Sequence, residues 1–203
     1  MPAYRRTVAV TVAVLAFAAC KGPSVPNPMN GQSRYLCCNM HYDKTSITDV
    51  NYLQGALVPL GTRVQILEVR RSSVKFQAAG HPPIELVLKY GKDAGLGMDQ
   101  YLDRIFLRDD PRAKLSRPAE VKVGRGGKAA RPAAAADNEG LRKKIEQGVV
   151  EPGMTKDQVI MALGYPPAHR TPSLDAPMWT YWANRWATFE VYFDGDRVSR
   201  VNR

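Results

Sequence analysis

The chain has 203 residues, of which 44% are hydrophobic and 24% charged, and it carries a formal charge of +10. A charge of that size first suggests a nucleic-acid partner, but its distribution excludes one. An excess of +6 falls on residues 112–136 alone, whereas residues 137–203 balance to zero.

Read from the start, Arg5 and Arg6 form a positive n-region, and Thr7 to Ala19 is an unbroken run of apolar or small residues. A run of about 13 residues fits the core of a secretory signal peptide (1–19) and is too short to span a bilayer as a mature helix. It ends in Phe17-Ala18-Ala19-Cys20, which resembles a bacterial lipobox with Phe in place of the more usual Leu. That resemblance makes Cys20 the acylated first residue of the mature protein, held by outer-membrane lipid through several chains. Lys21, in place of Asp, resembles the outer-membrane sorting pattern. The competing reading is an ordinary cleaved signal with a chance cysteine. Residues 20–33, rich in Pro, Asn, Gly and Ser, form a tether.

A folded region is expected over residues 34–111. Cys37 and Cys38 are adjacent, so on a strand they point to opposite faces, one inward and one toward solvent. Reduced packing residues, a vicinal disulfide and an intermolecular bridge all remain open for the pair. Cys37-Cys38 with His41 is half of a metal site that no second cluster completes. Pro59-Leu60-Gly61-Thr62 reads as a turn into a strand, Val64 to Val69, whose apolar pattern slips once and so predicts a bulge. Val74 and Phe76 lie on the return strand, and Ile84, Leu86 and Leu88 alternate as another. Gly91 to Gly97 reads as a loop, and Met98, Leu102, Ile105 and Phe106 as a short helix. Short strands at this density predict a small mostly-β domain, for which an SH3-like barrel is the expectation.

Residues 112–136 combine Pro, Gly, Ala and Lys/Arg and read as a disordered basic linker. On a secreted chain, its electrostatic partner would be anionic lipid, lipopolysaccharide or wall polymer, the alternative being a plain soluble spacer.

The last region, 137–203, is the most legible. Leu141, Ile145 and Val149 have helical spacing, with Glu139/Lys143 and Arg142/Glu146 as i, i+4 pairs. Thr155 and Gln158 form a capping box, Met154 and Val159 a hydrophobic staple, and Gly164 fits a left-handed C′ position before Pro166 and Pro167. Met178-Trp179-Thr180-Tyr181-Trp182 is a strand with Trp179 and Trp182 on opposite faces, so at least one ring is only partly covered. Phe189, Val191 and Phe193 alternate into an Asp194-Gly195 hairpin that sets Val198 opposite Val191. Exposed aromatics among Tyr165, Trp179, Trp182 and Trp186 are the candidate partner-binding residues. His169, between prolines, reads as a solvated loop residue.

This order of motifs (G-M-T-x-x-Q-V-x-x-x-L-G, then W-x-Y, then V-x-F-D-G) resembles the SmpA/OmlA, or BamE-like, domain over residues 138–203. The resemblance implies an α+β fold with two helices on a three-stranded antiparallel sheet. It also implies a non-enzymatic role in β-barrel outer-membrane protein assembly and envelope integrity, through docking on barrel-assembly components. The alternative is an envelope lipoprotein outside that machine that binds peptidoglycan or lipopolysaccharide. No catalytic, cofactor or metal residues are expected. Gly126-Gly127-Lys128-Ala129 lacks the hydroxyl residue of a phosphate loop, Gly95-Leu96-Gly97 lacks a third glycine, and no G-x-S-x-G occurs.

Overall fold

The computed structural model describes residues 27–90, 95–115 and 133–203. The expected signal peptide, the expected lipidation site Cys20 and most of the basic segment lie outside the described residues. In chain order the elements are β1 (Ser33–Leu36), β2 (Met40–Tyr42), β3 (Ser46–Thr48), β4 (Ala56–Val58), β5 (Arg63–Val69), β6 (Ser73–Ala78), β7 (Ile84–Val87), α1 (Met98–Ile105), β8 (Phe106–Leu107), α2 (Arg112–Leu115), α3 (Ala133–Glu146), α4 (Lys156–Leu163), β9 (Met178–Trp182), β10 (Thr188–Asp194) and β11 (Arg197–Asn202). The protein is mixed α+β.

The first unit is mostly β, as expected. Its six-stranded sheet runs β3-β7-β6-β5-β1-β8, and β2 and β4 form a separate ribbon. Period-2 alternation sends Val64 and Ile66 of β5, Val74 and Phe76 of β6, and Ile84 and Leu86 of β7 into one core. Leu102 of α1 and Phe106 cover that core, with the Phe76 and Phe106 rings edge to face at 5.2 Å. The expected bulge is present. Ile66 pairs with Phe76 and Glu68 with Lys75, which leaves Leu67 without a partner and turned outward.

The second unit is two helices and the antiparallel sheet β11-β10-β9. Thr155 Oγ1 accepts from the Gln158 N–H and Gln158 Oε1 from the Thr155 N–H, so the capping box forms as read. Met154 and Val159 are both buried beside it. Glu139–Lys143 and Arg142–Glu146 pair along α3. Trp179, Tyr181, Val191, Phe193 and Val198 fill the core between sheet and helices.

Four readings need correction. The hairpin register is displaced: the two-residue loop is Gly195-Asp196 and not Asp194-Gly195, so Phe193, not Val191, faces Val198, and an irregularity between Tyr192 and Phe193 then sets Val191 opposite Val201. Ser199 Oγ bonds the Tyr192 carbonyl there. Val198 still points inward, so the buried face survives the shift. Beyond α3, Val150 rather than Val149 enters the core, since the chain turns at Gly148 with a φ of +70°. The expected linker is helical at its described ends: Arg112–Leu115 is α2, held by Arg112 to Asp110, and α3 begins at Ala133. Finally, both cysteines are buried, neither facing solvent, and they are joined to each other as a vicinal disulfide.

Candidate functional site

The two units meet at the C-terminal end of α4. A helix leaves its last carbonyls without intrahelical partners, and these must be satisfied from elsewhere. In α4 each of them is. Ile160 O accepts from the Gly164 N–H at 2.7 Å and Met161 O from the Asn39 N–H at 3.1 Å. Ala162 O accepts from Asn39 Nδ2 at 3.0 Å, and Leu163 O from Asn51 Nδ2 at 2.7 Å. The first unit therefore caps a helix of the second.

Asn39 is the centre of this junction and is fully buried. Its Nδ2 also donates to Ile145 O near the end of α3 at 2.7 Å, and its Oδ1 accepts from the Leu60 N–H at 3.0 Å. Asn51 supports it from behind. Its Nδ2 donates to Asn39 O, and its Oδ1 accepts from the His41 N–H. Asn51 holds a φ of +50°, a left-handed conformation that asparagine tolerates better than most residues. Leu60, carried by the first unit, packs in the hydrophobic core of the second. The tyrosine hydroxyl of Tyr181 closes the arrangement by donating to Gly164 O at 3.0 Å. Burial pushes that hydroxyl's pKa up, so it stays a proton donor.

A cleft of about 270 Å³ opens beside the junction, between α1 and the loop that follows α4. Tyr101 and Arg104 line one side, Tyr165, Pro166 and Thr171 the other, and Asp49 the end. Burial raises the Tyr101 hydroxyl, with Asp49 adding in the same direction, and burial raises Tyr165 also. Both phenols are thus neutral hydrogen-bonding groups at any physiological pH. The Arg104 guanidinium lies 5.7 Å from the centre of the Tyr165 ring. His41, on the far side of the junction, has its pKa lowered by burial and its Nδ1 buried without a partner.

The expected partner-binding aromatics separate into different environments. Trp179 is completely buried under Lys156 and beside Phe193, so it is a core residue and not a contact residue. Strand alternation placed it inward, and the helices cover that face. Trp182 points the other way and is half-buried. Tyr52 meets its edge at 6.2 Å, and His169 stacks at 6.4 Å. Tyr165 is half-buried in the cleft. Trp186 alone of the four stands free, at 92% exposure. It sits in the β9–β10 connection, where Asn184 Oδ1 accepts from the N–H groups of both Trp186 and Ala187 and fixes the loop.

His169 is exposed, but its ring also stacks on Tyr90 of the first unit at 4.1 Å, so it belongs to the seam between the units. Sequence reasoning missed Asn39, Asn51 and Leu60. A local signal exists only for Asn51, as an asparagine fit for a left-handed turn. Comparison of the chain with protein-family models, with curated proteins and with solved structures finds no match in any of the three.

Proposed function

We propose that this protein is a non-enzymatic lipoprotein of the bacterial outer membrane, anchored through Cys20, facing the periplasm, and acting by protein docking in barrel assembly. In this reading the second unit is a SmpA/OmlA (BamE-like) domain and the first an SH3-like module. The observation that carries it is Trp186. An indole held at 92% exposure on a loop tied down by Asn184 is an anchor residue presented to a partner. The order of two helices and three antiparallel strands, with the capped helix between, supports the family resemblance. The charged n-region and Phe17-Ala18-Ala19-Cys20 support the anchor.

Affinity capture on the tagged, membrane-anchored full chain is expected to recover barrel-assembly components. Trp186→Ala should reduce that recovery about 30-fold, the equivalent of the roughly 2 kcal/mol a central aromatic supplies, without lowering thermal stability. Retention on purified peptidoglycan with no assembly component recovered would replace this reading with that of a wall-binding lipoprotein. Cys20→Ser should move the protein to the soluble periplasmic fraction, and a variant that still pellets with membranes would remove the anchor from the proposal.

A further inference from the structure

We propose that the Cys37–Cys38 bridge is a redox modification site, reducible by a dithiol, whose oxidised form holds Asn39 in place on α4 and whose reduction loosens the junction between the units. The inference is independent of the partner-docking reading.

The bridge occupies the whole span between two fixed points. On one side, β1 ends at Leu36, whose N–H donates to Thr62 O and whose carbonyl accepts from the Gly61 N–H, while the Cys37 N–H donates to Ile105 O. The backbone there is sewn to the first unit. On the other side, Asn39 is bonded through its N–H and its amide to Met161, Ala162 and Ile145 of the second unit. Joining adjacent cysteines closes a small ring that includes the peptide between them and removes torsional freedom from both residues. Asn39 follows directly, so its donors arrive already oriented. Without the bridge, the same two residues regain that freedom directly beside the Asn39 bonds to the second unit.

Access to the sulfur is limited but defined. Cys37 and Cys38 are 5% and 4% exposed. Cys38 walls a cavity of about 30 Å³ that shares Asp49, Tyr101, Ile105 and Tyr165 with the larger cleft. Displacing the two tyrosines would join these spaces and admit a small thiol. In the reaction a thiolate of the reductant attacks one bridge sulfur, forms a mixed disulfide and expels the other cysteine as a thiolate. The second thiol of the reductant then displaces the first cysteine. Two electrons and two protons pass to the protein, and the dithiol leaves as its own disulfide.

The test uses the full chain with dithiothreitol as the probe, thiol labelling to report the redox state, and hydrogen exchange to report the junction. Unfolded without reductant, Cys37 and Cys38 should take no label; after dithiothreitol both should. Reduction should speed exchange of the amides of Asn39, Leu60 and Gly164 by about 10-fold or more, leaving the β10–β11 hairpin within about 2-fold. Labelling of both cysteines without reductant overturns the proposal, as does a fully reduced protein with an unchanged exchange pattern. A Cys37→Ser, Cys38→Ser double variant should match the reduced protein. In Asn39→Leu the junction amides should already exchange fast and ignore dithiothreitol; a full response in that variant would show that the bridge does not act through Asn39.

Discussion

Asn39→Ala should destabilise the protein by about 4 kcal/mol, placing it among the rare large single-site losses. The side chain is fully buried, and its removal orphans two groups at once. The Leu60 N–H loses its acceptor and Ala162 O its donor, while Ile145 O is left with the Gly148 N–H. Each buried group left unpaired costs about 1–3 kcal/mol, far more than the net value of the bond when made. Asn39→Asp offers a sharper control. It keeps an acceptor for Leu60 but turns a carboxylate toward two carbonyls, so the folded state should raise its pKa. Stability should then be higher at acid pH, where the protonated acid can donate to one carbonyl, and fall as pH rises through the elevated pKa. Urea unfolding across pH measures both variants. A loss below about 1 kcal/mol for Asn39→Ala would mean that water replaces the amide and that the junction is not a dry one.

Gly164→Ala should cost about 3 kcal/mol or more, for reasons of backbone and of space together. Gly164 has φ 85° and ψ 179°, a region that residues with a β-carbon avoid. It therefore ends α4 with a positive φ, as expected, but in an extended and not a left-handed conformation, because its carbonyl must turn toward the Tyr181 hydroxyl. A β-carbon there would lie 2.9 Å from Asn51 Nδ2, the donor to Leu163 O. Gly195 provides the contrast. Its φ of +58° lies in the left-handed region and nothing stands within 4 Å of an added β-carbon, so Gly195→Ala should cost about 1 kcal/mol. Thermal unfolding of the two variants side by side checks the ordering, and equal losses would contradict the role of Asn51.

What could be read from the chain follows from how far each interaction reaches. The capping box joins residues three apart, and alternation in β9 and β10 is a property of consecutive residues, so the capped helix, the aromatic strand and the buried hairpin face were all legible. The register of that hairpin was not, because Asp194-Gly195 and Gly195-Asp196 are both acceptable two-residue loops, and moving from one to the other shifts every pairing by two residues without disturbing the apolar pattern. The fate of the tryptophans was half-legible. Alternation divides Trp179 from Trp182, but nothing local says which face the helices cover. The junction was hidden altogether. Asn39 and Ala162 are 123 residues apart, and an asparagine beside two cysteines advertises a turn or a metal ligand sooner than a cap for distant helices. The exposure of Trp186 was within reach of the sequence, since a tryptophan between Arg185 and Ala187 in a strand connection has no apolar stripe to join.

Because the end of α4 is closed by Asn39 and Asn51 and the core behind it by Leu60, the C-terminal third is not a portable part. Grafted onto another chain, residues 137–203 would carry an open row of carbonyls and a gap where a leucine had been. The recognisable motif and the region that makes it foldable are therefore bound to be inherited together.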